Sequence, residues 1–183
     1  TKEAMEAEER AALGAAIEAL APEHDVLVID APGSDNYLSR LGHSYADTLI
    51  TPMNDSFIDL DLLATIDPDS LDVIKPSVYS ELVWETRKRR AMRDRGSIDW
   101  IVMRNRLGHI DARNKRDIAA ILENLGKRIG FRQAPGFGER VIFRELYLKG
   151  LTLLDLVEDG EIALSMSHVA ARQEVRSLID QIN

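Results

Sequence analysis

Asp25-Val26-Leu27-Val28-Ile29-Asp30-Ala31-Pro32-Gly33 sets four apolar residues between two acidic ones and then breaks at Pro32 and Gly33. Such a short, continuous apolar run predicts a strand buried on both faces of a parallel sheet, with residues 31–34 as the loop at its carboxyl end. In open α/β sheets ligands sit at that end of the strands. An aspartate there can reach a phosphate-bound Mg²⁺, which makes Asp30 the candidate metal-side carboxylate. Gly33, beside Pro32 and lacking a Cβ, would let a backbone N–H approach a terminal phosphate, as a switch loop requires. Turn geometry alone also places Pro-Gly after a strand, so both readings stand at this point.

The flanking sequence predicts helices and strands in alternation. Residues 2–20 are rich in Ala, Glu and Leu, with Leu13, Ile17 and Leu20 at helical spacing before Pro22. A helix is expected from about Asn36 to Tyr45, then a strand over Thr48–Thr51 stopped by Pro52. Asn54 or Asp55 would cap a helix carrying Phe57, Leu60 and Leu63 on one face. After a loop with Pro68 and Pro76, Ser77 would cap a longer helix that gives Val78 and Leu82 to a core, turns basic from Arg87 to Arg95 and ends at Gly96.

Ile98–Met103 reads as a strand, and Asp111 opens a helix with Ile118, Leu122, Leu125 and Ile129 on one face. Gly130-Phe131-Arg132 is a weak strand. Helices are expected over 139–148 and after Ser167, the latter with Ala171, Val175, Leu178 and Ile182 on one side. The fold class is α/β, a mostly parallel sheet flanked by helices, in one domain over residues 1–183.

Composition narrows the chemistry. The 183 residues are 45% hydrophobic and include no cysteine, which excludes disulfides and thiolate metal sites. His24, His43, His109 and His168 lack metal-ligand spacing, and no Ser/His/Asp arrangement suggests a nucleophilic hydrolase. The acidic start lacks a signal peptide's basic flank, and no run approaches the ~18 apolar residues of a membrane span. A cytoplasmic protein without stable membrane association is expected. A start at Thr1, directly in a helical pattern, predicts an excised or truncated segment.

The net charge of −8 conceals an asymmetry: residues 87–149 hold 17 Lys/Arg against 7 Asp/Glu, a local +10, and the remainder carries −18. A positive block in an acidic chain can hold phosphate groups of a nucleotide or of DNA, or can be a solvated face with its arginines paired to carboxylates. Asn105, between Arg104 and Arg106, follows a predicted strand where an amide could offer a donor and an acceptor to an adenine edge; a turn residue would look the same. The phosphate-loop pattern G-x-x-x-x-G-K-[ST] does not occur in these residues.

Several strings resemble the MipZ branch of the ParA/MinD ATPases: Ile29 to Gly33, Asp47 to Asp55, Lys75-Pro76-Ser77, Trp84-Glu85, Arg104 to Leu107, Arg140 to Leu146 and Gly150 to Leu156. The resemblance runs from about residue 24 to residue 179. It implies a P-loop NTPase (ParA/MinD-like) fold, N-terminally truncated, and an ATP- and Mg²⁺-dependent homodimerisation switch. That switch would position the bacterial division site, binding ParB and non-specific chromosomal DNA at the nucleoid and inhibiting FtsZ polymerisation.

By position, the resemblance assigns Asp30, Pro32 and Gly33 to the Walker B and switch II segment and Asn105 to the base contact. It makes Arg113, Arg116, Arg132, Arg140 and Arg144 candidates for the DNA-facing surface. The alternative is a non-catalytic α/β module that binds DNA or a protein partner.

Overall fold

The structure, a computed structural model, describes residues 1–108, 112–153, 155 and 166–182. Its backbone forms two compact units, Thr1–Leu49 with Glu81–Asp99, and Ile50–Ser80 with Trp100–Asn183.

In the first unit, helix α1 (Lys2–Leu20) is capped by Thr1, whose side chain accepts from the Ala4 N–H at 3.3 Å. A single 3-10 turn follows at Ala21–Glu23. The run from Asp25 to Asp30 is not a strand: it has no regular structure, and Val26 and Val28 are 59% and 88% exposed. Apolar composition supplies a face to bury but not the hydrogen-bonded neighbour that defines a strand. Asn36 caps helix α2 (Tyr37–Tyr45) by accepting from the Ser39 N–H at 2.8 Å.

Helix α4 (Val78–Asp94) contributes most of its length to this unit. Ser77 caps it as expected, accepting from the Ser80 N–H at 3.1 Å. Val78 is 79% exposed, whereas Ser80, Val83 and Thr86 are buried, so the buried face is rotated from the one expected. The helix closes at Asp94, and the residue in the left-handed region just past it is Arg95, at φ 60°, rather than Gly96. Arg90 uses its whole guanidinium, the two terminal nitrogens tying α4 to the end of α2 and Nε staying within α4. Nη1 donates to the Tyr45 and Ala46 carbonyls at 2.9 Å, Nη2 to Asp47 at 2.7 Å and Nε to Asp94 at 2.9 Å.

The second unit contains most of a parallel three-stranded sheet in the order β1 (Thr48–Asn54), β4 (Asp99–Asn105), β5 (Arg132–Ala134). Ile101, Val102 and Met103 lie opposite Arg132, Gln133 and Ala134. Strand β1 runs through Pro52 instead of stopping there, which an edge strand tolerates because the missing N–H has no ladder partner to lose. The next cap is Ser56, not Asn54 or Asp55, and helix α3 (Phe57–Leu60) is a single turn.

The expected loop around Pro68 holds an antiparallel pair, β2 (Ala64–Ile66) and β3 (Val73–Pro76). Asp67 turns the chain between them, accepting from the Asp69 and Ser70 N–H groups at 3.0 and 2.8 Å.

Trp100, Ile101, Val102 and Met103 are all buried, as the central strand of a covered sheet requires. Helix α5 (Ala112–Ile129) buries Ile118, Ile121, Leu122 and Leu125; the expected start at Asp111 lies outside the described residues. Trp100 makes edge contacts with Tyr79 and Phe131, at 6.2 and 5.3 Å between centroids. Helix α6 (Ile142–Leu148) and helix α7 (Met166–Ile182) share a smaller core of Ile142, Leu146, Leu153 and Ala171. Ser167 lies within α7 rather than ahead of it.

Candidate functional site

Two groups of the expected site residues lie in different units, and each is described by itself. In the first unit, Asp30, Pro32 and Gly33 are exposed on the loop leading to α2. A Cβ at Gly33 would meet nothing within 4 Å, so local packing does not require glycine there. The loop is hung on the helix by Ser39, which is 5% exposed: its hydroxyl donates toward the Ser34 carbonyl at 3.1 Å, with the Pro32 carbonyl at 3.5 Å. Asn36 adds a bond from Nδ2 to Ser34 Oγ at 3.0 Å. Arg40 grips Asp35 with two bonds of 2.6 and 2.5 Å, and this holds the Asp35 carboxyl below the usual carboxylate range.

The second group lies at the carboxyl end of the three-stranded sheet, where ligands of α/β proteins bind. The side chain of Asp55, just past β1, is 7% exposed and accepts from Arg104 Nη1 at 3.1 Å; the same nitrogen donates to the Lys115 carbonyl at 3.2 Å. No local pattern marks this pair, whose members stand 49 residues apart.

Beyond β4 the chain remains knitted to the segment after β5. Phe137 N–H donates to the Arg104 carbonyl, Leu107 N–H to Phe137 and Glu139 N–H to Leu107, at 3.0, 2.9 and 3.1 Å. Gly136 permits the approach, since a Cβ there would stand 2.4 Å from the Arg104 carbonyl oxygen.

Asn105 sits at the turn this creates. Its Oδ1 accepts from the Arg106 N–H at 2.9 Å, and Arg106 takes a φ of 51°. The side chain therefore already serves the turn, and its NH₂ donor is what it has to offer a base.

The five candidate DNA-facing arginines separate. Arg113 and Arg116 are exposed on the first turns of α5, and Arg144 is exposed with Glu139 only at 4.0 Å. Arg132 donates to both the side chain and the carbonyl of Gln181 on α7. Arg140 pairs with Glu174 on the same helix at 2.6 Å, and Glu174 also accepts from the Gly138 N–H at 3.2 Å. These last two guanidinium groups fasten α7 rather than face solvent.

A family model described as ATPase MipZ matches residues 1–183, the whole chain. The chain belongs to the MipZ ATPase family. No curated protein matches it. Membership makes it a ParA-like ATPase of division-site positioning, and the parallel sheet flanked by helices is compatible with the P-loop NTPase-like fold of that family. Among the described residues no helix is long and apolar enough to cross a membrane.

The family implies a nucleotide with Mg²⁺. Among the described residues no group of three His, Cys, Asp or Glu could hold a metal by itself. A lone carboxylate such as Asp30 does fit Mg²⁺ that arrives on phosphate, because that ion keeps several waters and takes only one or two protein carboxylates.

Two predictions follow from the geometry. Arg104→Ala leaves the Asp55 carboxylate buried without its ion-pair partner and should cost about 3 kcal/mol in urea unfolding, part of it restored by adding Asp55→Ala. Burial lowers the His43 pKa from its ordinary value of 6.5, against the opposing pull of Asp35. The unfolded chain then takes up the proton first, so this contribution to stability is complete above pH 6.5 and declines as the pH falls through that value. His43→Gln should flatten the decline in Tm between about pH 7 and about pH 5.

Proposed function

We propose that the chain acts as an ATP-dependent dimerisation switch that positions the division site. The match of all 183 residues to the MipZ ATPase model carries this reading. In the first unit, Asp30 is the carboxylate that would face phosphate-bound Mg²⁺, with Pro32 and Gly33 in the responding loop. In the second unit, taken by itself, the Asn105 NH₂ is the proposed base contact. Bound Mg²⁺ would supply charge neutralisation at the phosphates. The chain's own contribution is positional: Ser39 and Asn36 hold the loop against α2, and the Phe137 and Leu107 bonds hold Asn105 at the sheet end.

Non-specific DNA at the nucleoid, ParB and FtsZ are the proposed partners. The DNA-facing surface would rest on Arg113, Arg116 and Arg144, the three candidates that are exposed. Their phosphate contacts would make binding strongly dependent on salt.

Calorimetry of Mg·ATP should detect binding by a form that carries this chain together with a G-x-x-x-x-G-K-[ST] loop. Asp30→Ala should weaken it by about tenfold or more; unchanged affinity would remove Asp30 from the metal. In the ATP-bound protein, joint Arg113→Glu and Arg116→Glu should lower DNA affinity and reduce the salt slope by about two. An unaltered slope would place the DNA surface elsewhere.

A further inference from the structure

The first unit contains a cleft of about 700 Å³ among α1, α2 and the basic half of α4, and neither Asp30, Pro32 nor Gly33 lines it. Its volume lies within the usual range for small-molecule sites. Arg10, Arg40, Arg89, Arg93 and Lys2 bring five positive charges to the walls, against two negative ones from Glu6 and Asp35. In a chain of net charge −8 this is a local reversal of sign, and concavity concentrates such a field.

The cations differ in how far they are already engaged. Arg40 is gripped by Asp35, and Lys2 stands 3.7 Å from Glu6. Arg93 lies 4.7 Å over the Tyr45 ring and bonds Asp94 through Nε and Nη2. Arg10 donates from Nε to the Tyr37 hydroxyl at 3.0 Å, which fixes the guanidinium while its two terminal nitrogens make no other hydrogen bond among the described residues. Arg89 is exposed and, among the described residues, has no partner. One oriented fork and one unneutralised guanidinium thus border the same cleft, together with the rings of Tyr37 and Tyr45.

We infer that this cleft binds a small polyanion of the nucleotide class, with Arg10 and Arg89 taking adjacent phosphate groups and the tyrosine rings providing apolar faces for a base. Guanidinium forks suit phosphate oxygens in pairs, and a concave site of this size suits a compact ligand. This site is separate from the Asp30 loop, and its occupancy does not require Mg²⁺ at Asp30.

The test is calorimetry with inorganic pyrophosphate and, in parallel, ADP without Mg²⁺, on the protein and on its Arg10→Gln, Arg89→Glu and Asp30→Ala variants. Both probes should bind, with ADP the tighter. Arg10→Gln and Arg89→Glu should each weaken binding by about tenfold or more, and Asp30→Ala should leave it unchanged.

Arg89 is exposed and Arg10 lies on a helix that buries no residue, so neither change threatens folding; circular dichroism verifies this. Failure of both probes to bind, indifference to Arg10→Gln and Arg89→Glu, or loss confined to Asp30→Ala overturns the inference. Loss of duplex DNA binding in these variants without any binding of pyrophosphate also overturns it, in favour of a polymer surface. If the Asp30 loop fails its own Mg·ATP test while pyrophosphate binding follows Arg10 and Arg89, this site stands and the switch assignment falls.

Discussion

Trp100 sits 1% exposed near the start of the central strand, and a strand covered on both faces must find an acceptor for that indole N–H or leave it buried and unsatisfied. The acceptor is Thr51 Oγ1 on β1 at 3.0 Å, and the Tyr79 hydroxyl lies 2.8 Å from the same oxygen. One polar requirement therefore fixes the register between β1 and β4 and anchors the residues that begin α4. With register set, the residues just past each strand have defined neighbours: Asp55 meets Arg104, and the segment after β4 stays paired with the segment after β5. The sheet-end site follows from a hydrogen bond formed at the opposite end of the strand.

Where local pattern and tertiary demand agree, the fold can be read directly from the residues. The 118, 122, 125 periodicity becomes the buried face of α5, and the apolar run at 98–103 becomes β4, because each has the partner its pattern calls for. Asp25–Asp30 has an apolar run of the same length, four residues, and forms no strand, since a ladder is a relation between two segments and one segment cannot display it. The β2–β3 pair was hidden for the opposite reason: three- and four-residue strands carry too little alternation to register, and Asp67 closes the turn with its own side chain.

The chemistry each residue type could offer was legible in the sequence, but its neighbours were not. Asn105 was recognisable as either a turn residue or a contact, and the structure shows its Oδ1 in the turn, with its NH₂ group unengaged among the described residues. Arg104 and Asp55 are unremarkable in sequence, because nothing local indicates a partner 49 residues away. The basic block was visible as a sum, yet its parts serve different ends. Arg90, Arg104, Arg132 and Arg140 each reach across the chain to carbonyls or carboxylates, whereas Arg113, Arg116 and Arg144 remain at the surface.

That division decides how much of the positive charge can act on a ligand. A guanidinium whose arms already satisfy backbone carbonyls contributes a distant field but has no fork to give to a phosphate, and removing it breaks structure before it affects binding. The +10 between residues 87 and 149 therefore overstates the cationic surface. Outside that block, Arg10 is oriented by a phenol and has its terminal nitrogens unengaged among the described residues, so it is better placed for an anion than most arginines within it. The same economy governs the Asp30 loop. It is held to α2 through the buried Ser39 hydroxyl, and α2 is held to α4 through Arg90, so a ligand that displaced the loop would load a connected series of hydrogen bonds rather than a free strand end.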